Sequence, residues 1–221
     1  AADATWIAWL DETPTGSLLV SSWDPDALNW TSPETIADPA VNLFGTVNPA
    51  LATHDGTLYA MWVEFDMTAA TGLYAANNVG GSWSSPELVT DYDMEFKNQF
   101  SIHVGENGNA VAFWTQDDAD TEFEQLYAAT LVAGETTWGT PRKVALVEDM
   151  GDVVAPHVSV SGNTAVVTWD QDYVERRGVF LATFDIEAGS WGTAMAVDTS
   201  AVLDAYNNAV HIDDAGNILV L

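Results

Sequence analysis

Carboxylates are the groups this chain has in surplus for chemistry, and cations are the groups it lacks. Its 33 Asp and Glu residues face only five Lys and Arg, for a formal charge of −28 at pH 7. The acids crowd into polar segments between apolar runs: Glu64 and Asp66, then Asp117, Asp118 and Asp120, then Asp170 and Asp172. Oxygen-rich loops of this kind suit two tasks. They hold hard cations, with Ca2+ as the candidate ion, or they set a carboxylate beside a bond to be broken, as acid or base. Abundance works against specificity, because any two of so many carboxylates could be paired on paper. No catalytic residue is therefore assigned from the sequence, and these acids are expected to line a binding face.

The four histidines, His54, His103, His157 and His211, fall on or near the first apolar run of their segments. A ring of imidazoles binds metal. Here the registers differ: His157 follows Pro156 directly, whereas His54 stands five residues after Pro49. A slip of one residue on a strand turns a side chain to the other face, so the histidines read as structural. No G-x-S-x-G, H-E-x-x-H, P-loop or EF-hand pattern occurs. A nucleic-acid backbone or an anionic membrane would be repelled by so acidic a surface. No apolar run approaches the roughly 18 residues of a membrane span.

The elements that must position these acids are written in a repeat. Trp9, Trp62, Trp114 and Trp169 close similar apolar runs at spacings of 53, 52 and 55 residues. Each full copy reads as four short alternating or apolar runs separated by Gly, Asn and Asp turns, a meander of hairpins without helical periodicity. Tandem units of this length are the mark of a β-propeller, with one antiparallel four-stranded blade per copy. The expectation is an all-β single domain over residues 1–221, with blades at about 1–38, 39–91, 92–149 and 150–200 and a partial one at 201–221. The first copy lacks its opening strand and the last is unfinished. Trp9, Trp62, Trp114 and Trp169 are expected to fill the space between blades. A W-x-x-P element opens the outermost strand at Trp30, Trp83 and Trp138, and Trp191 repeats it without the proline; proline suits an edge, where its missing N–H need not pair.

The turns SSWDPDALNW and TFDIEAGSW resemble degenerate Asp-boxes, the S-x-D-x-G-x-x-W turns of sialidase-like (BNR-repeat) propellers. Ser22 and Asp24 match in the first; Asp185, Gly189 and Trp191 match in the second with altered spacing. The resemblance implies the propeller fold and a structural role for the box. It does not bring sialidase action, which needs three arginines converging on one carboxylate. The only arginines are Arg142 and the adjacent Arg176 and Arg177.

In such a blade the loops between the second and third strands, and those between blades, open on one side. Most of the acids fall in those loops, so one strongly negative face is expected, able to gather cations or a basic protein. The start AADA fits a mature exported protein, and an extracellular or cell-surface location is expected, with the periplasm as the alternative. The leading expectation is a non-catalytic binding propeller recognising a glycan or surface polymer. Its alternatives are a glycan-active hydrolase or lyase using a carboxylate of the acidic face, and a structural subunit that self-associates by strand exchange through the incomplete blade.

Overall fold

The computed structural model describes residues 5–11, 16–37, 49–64, 71–92, 99–118, 120–121, 123–145, 151–173, 176–197 and 209–221. The side chains of residues 71, 92, 172, 173 and 176 lie outside that description. All described regular structure is antiparallel β, as the repeat pattern requires, and none of it is helical. No described helix is long and apolar enough to cross a membrane. The chain divides into two compact units, Ala1–Met94 and Glu95–Leu221.

The first unit holds two sheets. Sheet one comprises β1 (Trp6–Asp11), β2 (Ser17–Asp24), β3 (Asn29–Trp30) and β4 (Glu34–Ala37). Sheet two comprises β5 (Ala50–His54), β6 (Thr57–Glu64), β7 (Thr71–Val79), β8 (Ser82–Trp83) and β9 (Glu87–Tyr92). Among the described residues, sheet one starts at the Trp9 strand and has no counterpart of β5, in keeping with the short first copy.

The second unit holds sheets three and four and a terminal hairpin. Sheet three is β10 (Phe100–Val104), β11 (Ala110–Asp117), β12 (Glu124–Leu131) and β13 (Arg142–Lys143). Sheet four is β14 (Val153–Ser161), β15 (Thr164–Tyr173), β16 (Arg176–Asp185), β17 (Ser190–Trp191) and β18 (Met195–Ala196). The hairpin is β19 (Val210–Ile212) and β20 (Ile218–Val220).

The outer strand departs from expectation, because W-x-x-P does not open a single continuous strand. It is broken into two pieces on the same neighbour: β3 and β4 both pair with β2, and β8 and β9 both pair with β7. Pro33 and Pro86 sit in the gaps. Proline has no N–H for the ladder and a fixed φ, so the pairing stops there and resumes beyond it. Sheet four shows the same break without a proline, so the repeat keeps the geometry where the residue is missing.

The turns carry the acid–backbone bonds that the repeat pattern foreshadows. Asp24 Oδ1 accepts from the N–H groups of Asp26 (2.9 Å) and Ala27 (3.0 Å), and Asp185 Oδ1 accepts from Ala188 N–H (2.9 Å). These are Asx turns, which fix the hairpins through one oxygen of each carboxylate.

The tryptophans explain the period. Trp62, Trp114 and Trp169 are almost fully buried, and each lies directly across the ladder from an aromatic ring: Tyr74, Tyr127 and Phe180. The rings stack at 6.4, 6.0 and 6.1 Å with interplanar angles of 21°, 15° and 17°. Each indole N–H then donates to the side chain two residues on, which shares its face: Glu64 Oε1 at 3.1 Å, Gln116 Oε1 at 2.7 Å and Gln171 Oε1 at 3.2 Å. A buried indole therefore keeps its polar edge paired while its rings are packed away from water. In the first unit Trp62 joins Leu18, Val20 and Ile36 of sheet one. In the second unit Trp169 joins Phe113 and Leu126 of sheet three.

The later tryptophans also take part in the packing. Trp191 donates to the Arg142 carbonyl (3.0 Å) and meets Phe113 and Phe184 edge-on at 5.6 and 5.0 Å. Trp83 packs on the core shared by sheets one and two, and Trp138 is buried. Trp9 differs. It faces Leu19 instead of a ring and is only half-buried.

Replacing a buried, paired tryptophan should be costly where replacing an exposed one is not. Trp114→Ala is expected to lower stability by about 3–5 kcal/mol. Trp30→Ala, at an exposed position paired edge-on with Trp23, is expected to cost less than about 1 kcal/mol. Urea denaturation of the two variants beside the parent measures both.

Candidate functional site

Side chains two apart on a strand share a face, and directly paired residues on neighbouring strands share it too. In sheet two this places Glu64, the last residue of β6, opposite Gly72 on β7, and Gly72 opposite Asp91 on β9. Glu64, Gly72 and Asp91 thus form one row on one face, with a carboxylate at each end and no side chain in the middle. Two interstrand steps put the outer Cα atoms about 10 Å apart. Glu64 is half-buried and Asp91 exposed.

Tyr74 belongs to the same face, two residues along β7. It stacks on Trp62, whose N–H holds Glu64 Oε1. A Cβ on Gly72 would lie 2.5 Å from Leu88 Cδ1 and 2.7 Å from Tyr74 Cε2. The missing side chain is therefore what lets the tyrosine ring lean over the row. Burial, and then the negative charges of Glu64 and Asp91, push the Tyr74 phenol above its ordinary value. The phenol therefore keeps its proton at neutral pH.

Sheet three uses the equivalent tyrosine differently. Tyr127 Oη donates to Asp118 Oδ2 at 2.7 Å, and Lys143 Nζ lies 3.0 Å from the same oxygen. The other oxygen, Oδ1, accepts from the N–H groups of Asp120 (3.1 Å) and Thr121 (3.2 Å). Asp118 is 7% exposed. The Tyr127 hydrogen bond, with the Lys143 contact and the Asp120 N–H, holds its carboxyl down at about 2 despite burial. Burial and Asp118 in turn raise the Tyr127 phenol. Asp118 is a clamp on the β11–β12 connection.

Among the described residues, the other loop acids differ in their surroundings. Asp117, Asp118 and Asp120 do not present a common set of open oxygens: Asp118 turns inward, while Asp117 and Asp120 are exposed. Asp170 lies opposite Val179 inside sheet four, only 3% exposed. Asp172 pairs with Arg177 across β15 and β16, its side chain outside the described residues. Asp66 lies outside the described residues, and Glu64 stands in the row above. Among the described residues, no three His, Asp or Glu side chains come together as a metal cage.

Two residues of interest do not stand out in the sequence. Glu124 is buried at the start of β12, accepts from Thr115 Oγ1 at 2.5 Å, and donates its backbone N–H to Asp152 Oδ1 at 2.9 Å. Asp91 reads as one loop acid among many. Its signal exists only as register, through the glycine of GLYAAN set against the glutamate of W-x-E. The histidines are structural or exposed. Burial lowers His103 to about 4, its ring packs 6.2 Å from Phe113, and His157 and His211 face solvent.

No protein-family model and no curated protein matches the sequence. Solved structures do match its fold. A polysaccharide lyase, a PL25 ulvan lyase bound to a -[GlcA(1-4)Rha3S]- saccharide, is similar over 99% of this chain and 61% of its own, at 13% identity and TM-score 0.65. A protein of unknown function from Dyadobacter fermentans DSM 18053 matches over 94% of this chain and 64% of its own, at 14% identity and TM-score 0.59. A xylan beta-1,4-xylosidase from Bacillus halodurans C-125 matches over 100% of this chain and 46% of its own, at 14% identity and TM-score 0.51. This chain thus spans from about half to two-thirds of the length of the structures it resembles.

The fold is a β-propeller of antiparallel blades. The expectation of a non-catalytic binding propeller is corrected: the structures of this architecture include glycan-cleaving enzymes. That expectation rested on the lack of a catalytic motif, and motifs run along the chain. A row such as Glu64–Gly72–Asp91 exists only across it.

The Asp118 clamp has a pH signature. Its depressed carboxyl contributes stability that is fully present above the ordinary aspartate value of 3.8 and is lost as pH falls toward about 2. Asp118→Ala should cost about 1–3 kcal/mol at neutral pH through lost charged hydrogen bonds. The penalty should shrink toward pH 2, as read from urea denaturation at several pH values.

Proposed function

We propose that the chain acts in glycan cleavage, as a hydrolase or lyase built on a propeller, and that its blades form one domain. The observation that supports this most is the match, over 99% of its length, to a polysaccharide-cleaving structure, in a chain whose strand ends carry carboxylates. The turns held by Asp24 and Asp185 support the narrower likeness to Asp-box propellers. An extracellular or cell-surface location accords with a polymeric substrate.

Charge favours hydrolysis of a neutral glycan over elimination from a uronate. A lyase must neutralise the uronate carboxylate before the adjacent proton can leave, and it does so with cations or strong donors. This chain has five Lys and Arg against 33 acids, and Lys143 is already committed to Asp118. A polyanionic chain would also be repelled over long range at low salt.

The test is a panel of neutral and uronate-containing polysaccharides, read by reducing-end release and by the ultraviolet absorbance of unsaturated uronate. New reducing ends from a neutral glycan without the absorbance are expected. The absorbance from a uronate polymer would instead establish the lyase chemistry, and silence across the panel would overturn glycan cleavage.

A further inference from the structure

We propose that Glu64 and Asp91 are the acid–base pair of this glycan-cleaving site, with Tyr74 as the donor between them and hydrolysis proceeding with inversion; this rests on the reading above. The repeats, set beside one another, single out residue 64. The residue two beyond the buried tryptophan has one structural task in sheets two, three and four, to accept the indole N–H. Sheets three and four perform it with a neutral carboxamide, Gln116 and Gln171. Sheet two performs it with a carboxylate. An amide is sufficient for the packing role, so the charge at residue 64 serves something other than packing.

The row supplies the partner. Glu64 and Asp91 flank Gly72 across three strands, and Gly72 admits no Cβ because the Tyr74 ring and Leu88 occupy that space. The two carboxylates are therefore separate, on one face, with a phenol between them. The pair stands where the seam between sheets one and two reaches its loop end, beyond the core that Trp62 and Tyr74 share with Leu18 and Val20. In sheet three the same tyrosine slot is saturated by Asp118, and in sheet four it holds Phe180. Among the described sheets, only sheet two combines the carboxylate, the glycine and the tyrosine.

The spacing of the strands bears on the stereochemistry. Carboxyl groups about 5 Å apart serve a covalent, retaining route, and those about 6.5–9.5 Å apart leave room for a water and invert. Two interstrand steps put about 10 Å between the Cα atoms, and side chains rising in parallel from one face would keep the carboxyl groups in the wider class. The ionised member takes a proton from water as the water oxygen bonds to the anomeric carbon. The protonated member gives its proton to the glycosidic oxygen as the carbon–oxygen bond breaks. The products are one hemiacetal and one alcohol, and the pair then re-equilibrates its proton with solvent. Tyr74, protonated throughout, donates a hydrogen bond to substrate oxygen or to a carboxylate.

The test compares the full chain with Glu64→Gln, Asp91→Asn, Tyr74→Phe and the remote exposed control Glu135→Gln, on whichever neutral glycan the parent cleaves. Glu64→Gln writes into sheet two the residue that sheets three and four already carry, so its urea midpoint should match the parent. Its kcat/KM should fall at least about 100-fold, the scale of a lost acid or base. Asp91→Asn should behave alike, Tyr74→Phe should fall about tenfold or more, and Glu135→Gln should stay at parental activity. Nuclear magnetic resonance of the first-formed product should show the inverted anomer.

Parental activity in Glu64→Gln or in Asp91→Asn overturns the pair while leaving glycan cleavage standing, and a retained anomer does the same. A parent that cleaves nothing overturns the broader reading and this one with it. If Glu64→Gln unfolds, Asp91→Asn, at an exposed position, still decides.

Discussion

A buried indole with its polar edge paired is the interaction that organises this molecule. A tryptophan at the end of the second strand of a blade supplies more apolar area than any other residue, but its N–H cannot be left dry. The fold satisfies that N–H within the same strand, two residues on, and lays an aromatic ring across the ladder against the indole face. Trp62, Trp114 and Trp169 repeat the arrangement with nearly the same distances and angles. Because that satisfaction is local, these three indoles need no polar partner from another sheet, and in the second unit the contact between sheets three and four adds its own aromatic cluster and the Trp191 bond to the Arg142 carbonyl.

A repeated solution turns sequence differences into information. Where one structural need is met several times in one molecule, the residue it requires can be read by majority. Gln116 and Gln171 set the requirement, and Glu64 exceeds it. Asp118, by contrast, looks prominent in the sequence and proves to be fully employed by Tyr127, Lys143 and its own turn. We therefore rest the proposal on departure from the repeat and not on density of acidic residues.

Much of the fold is legible in the residues alone. The period of Trp62, Trp114 and Trp169 and the Gly/Asn turns stand in the strands as expected, with Trp9 the exception, because a meander is specified by local pattern and by turns that need no distant partner. Pro33 and Pro86 mark the split of the outer strand, though a proline at an edge and a proline in a gap look alike along the chain. The site is much less accessible. Glu64 can be named from the sequence, but Asp91 cannot be joined to it, since their adjacency depends on the β6–β7 and β7–β9 registers and on the irregular pairing between Leu73 and Tyr74. The burial of Asp170 is likewise invisible, since a strand covered on both faces loses the alternation that marks inside from outside.

If residues 64 and 91 are the acid–base pair, a saccharide must lie across the end of sheet two with its scissile bond between them. A crystal structure of the Glu64→Gln variant, soaked with an oligosaccharide that the parent cleaves, decides this. The glycosidic oxygen and anomeric carbon are expected beyond the Tyr74 ring that covers Gly72, within hydrogen-bond reach of the Tyr74 hydroxyl and of Asp91 or the substituted side chain at position 64. An ordered saccharide bound elsewhere, with this row untouched, would contradict the assignment.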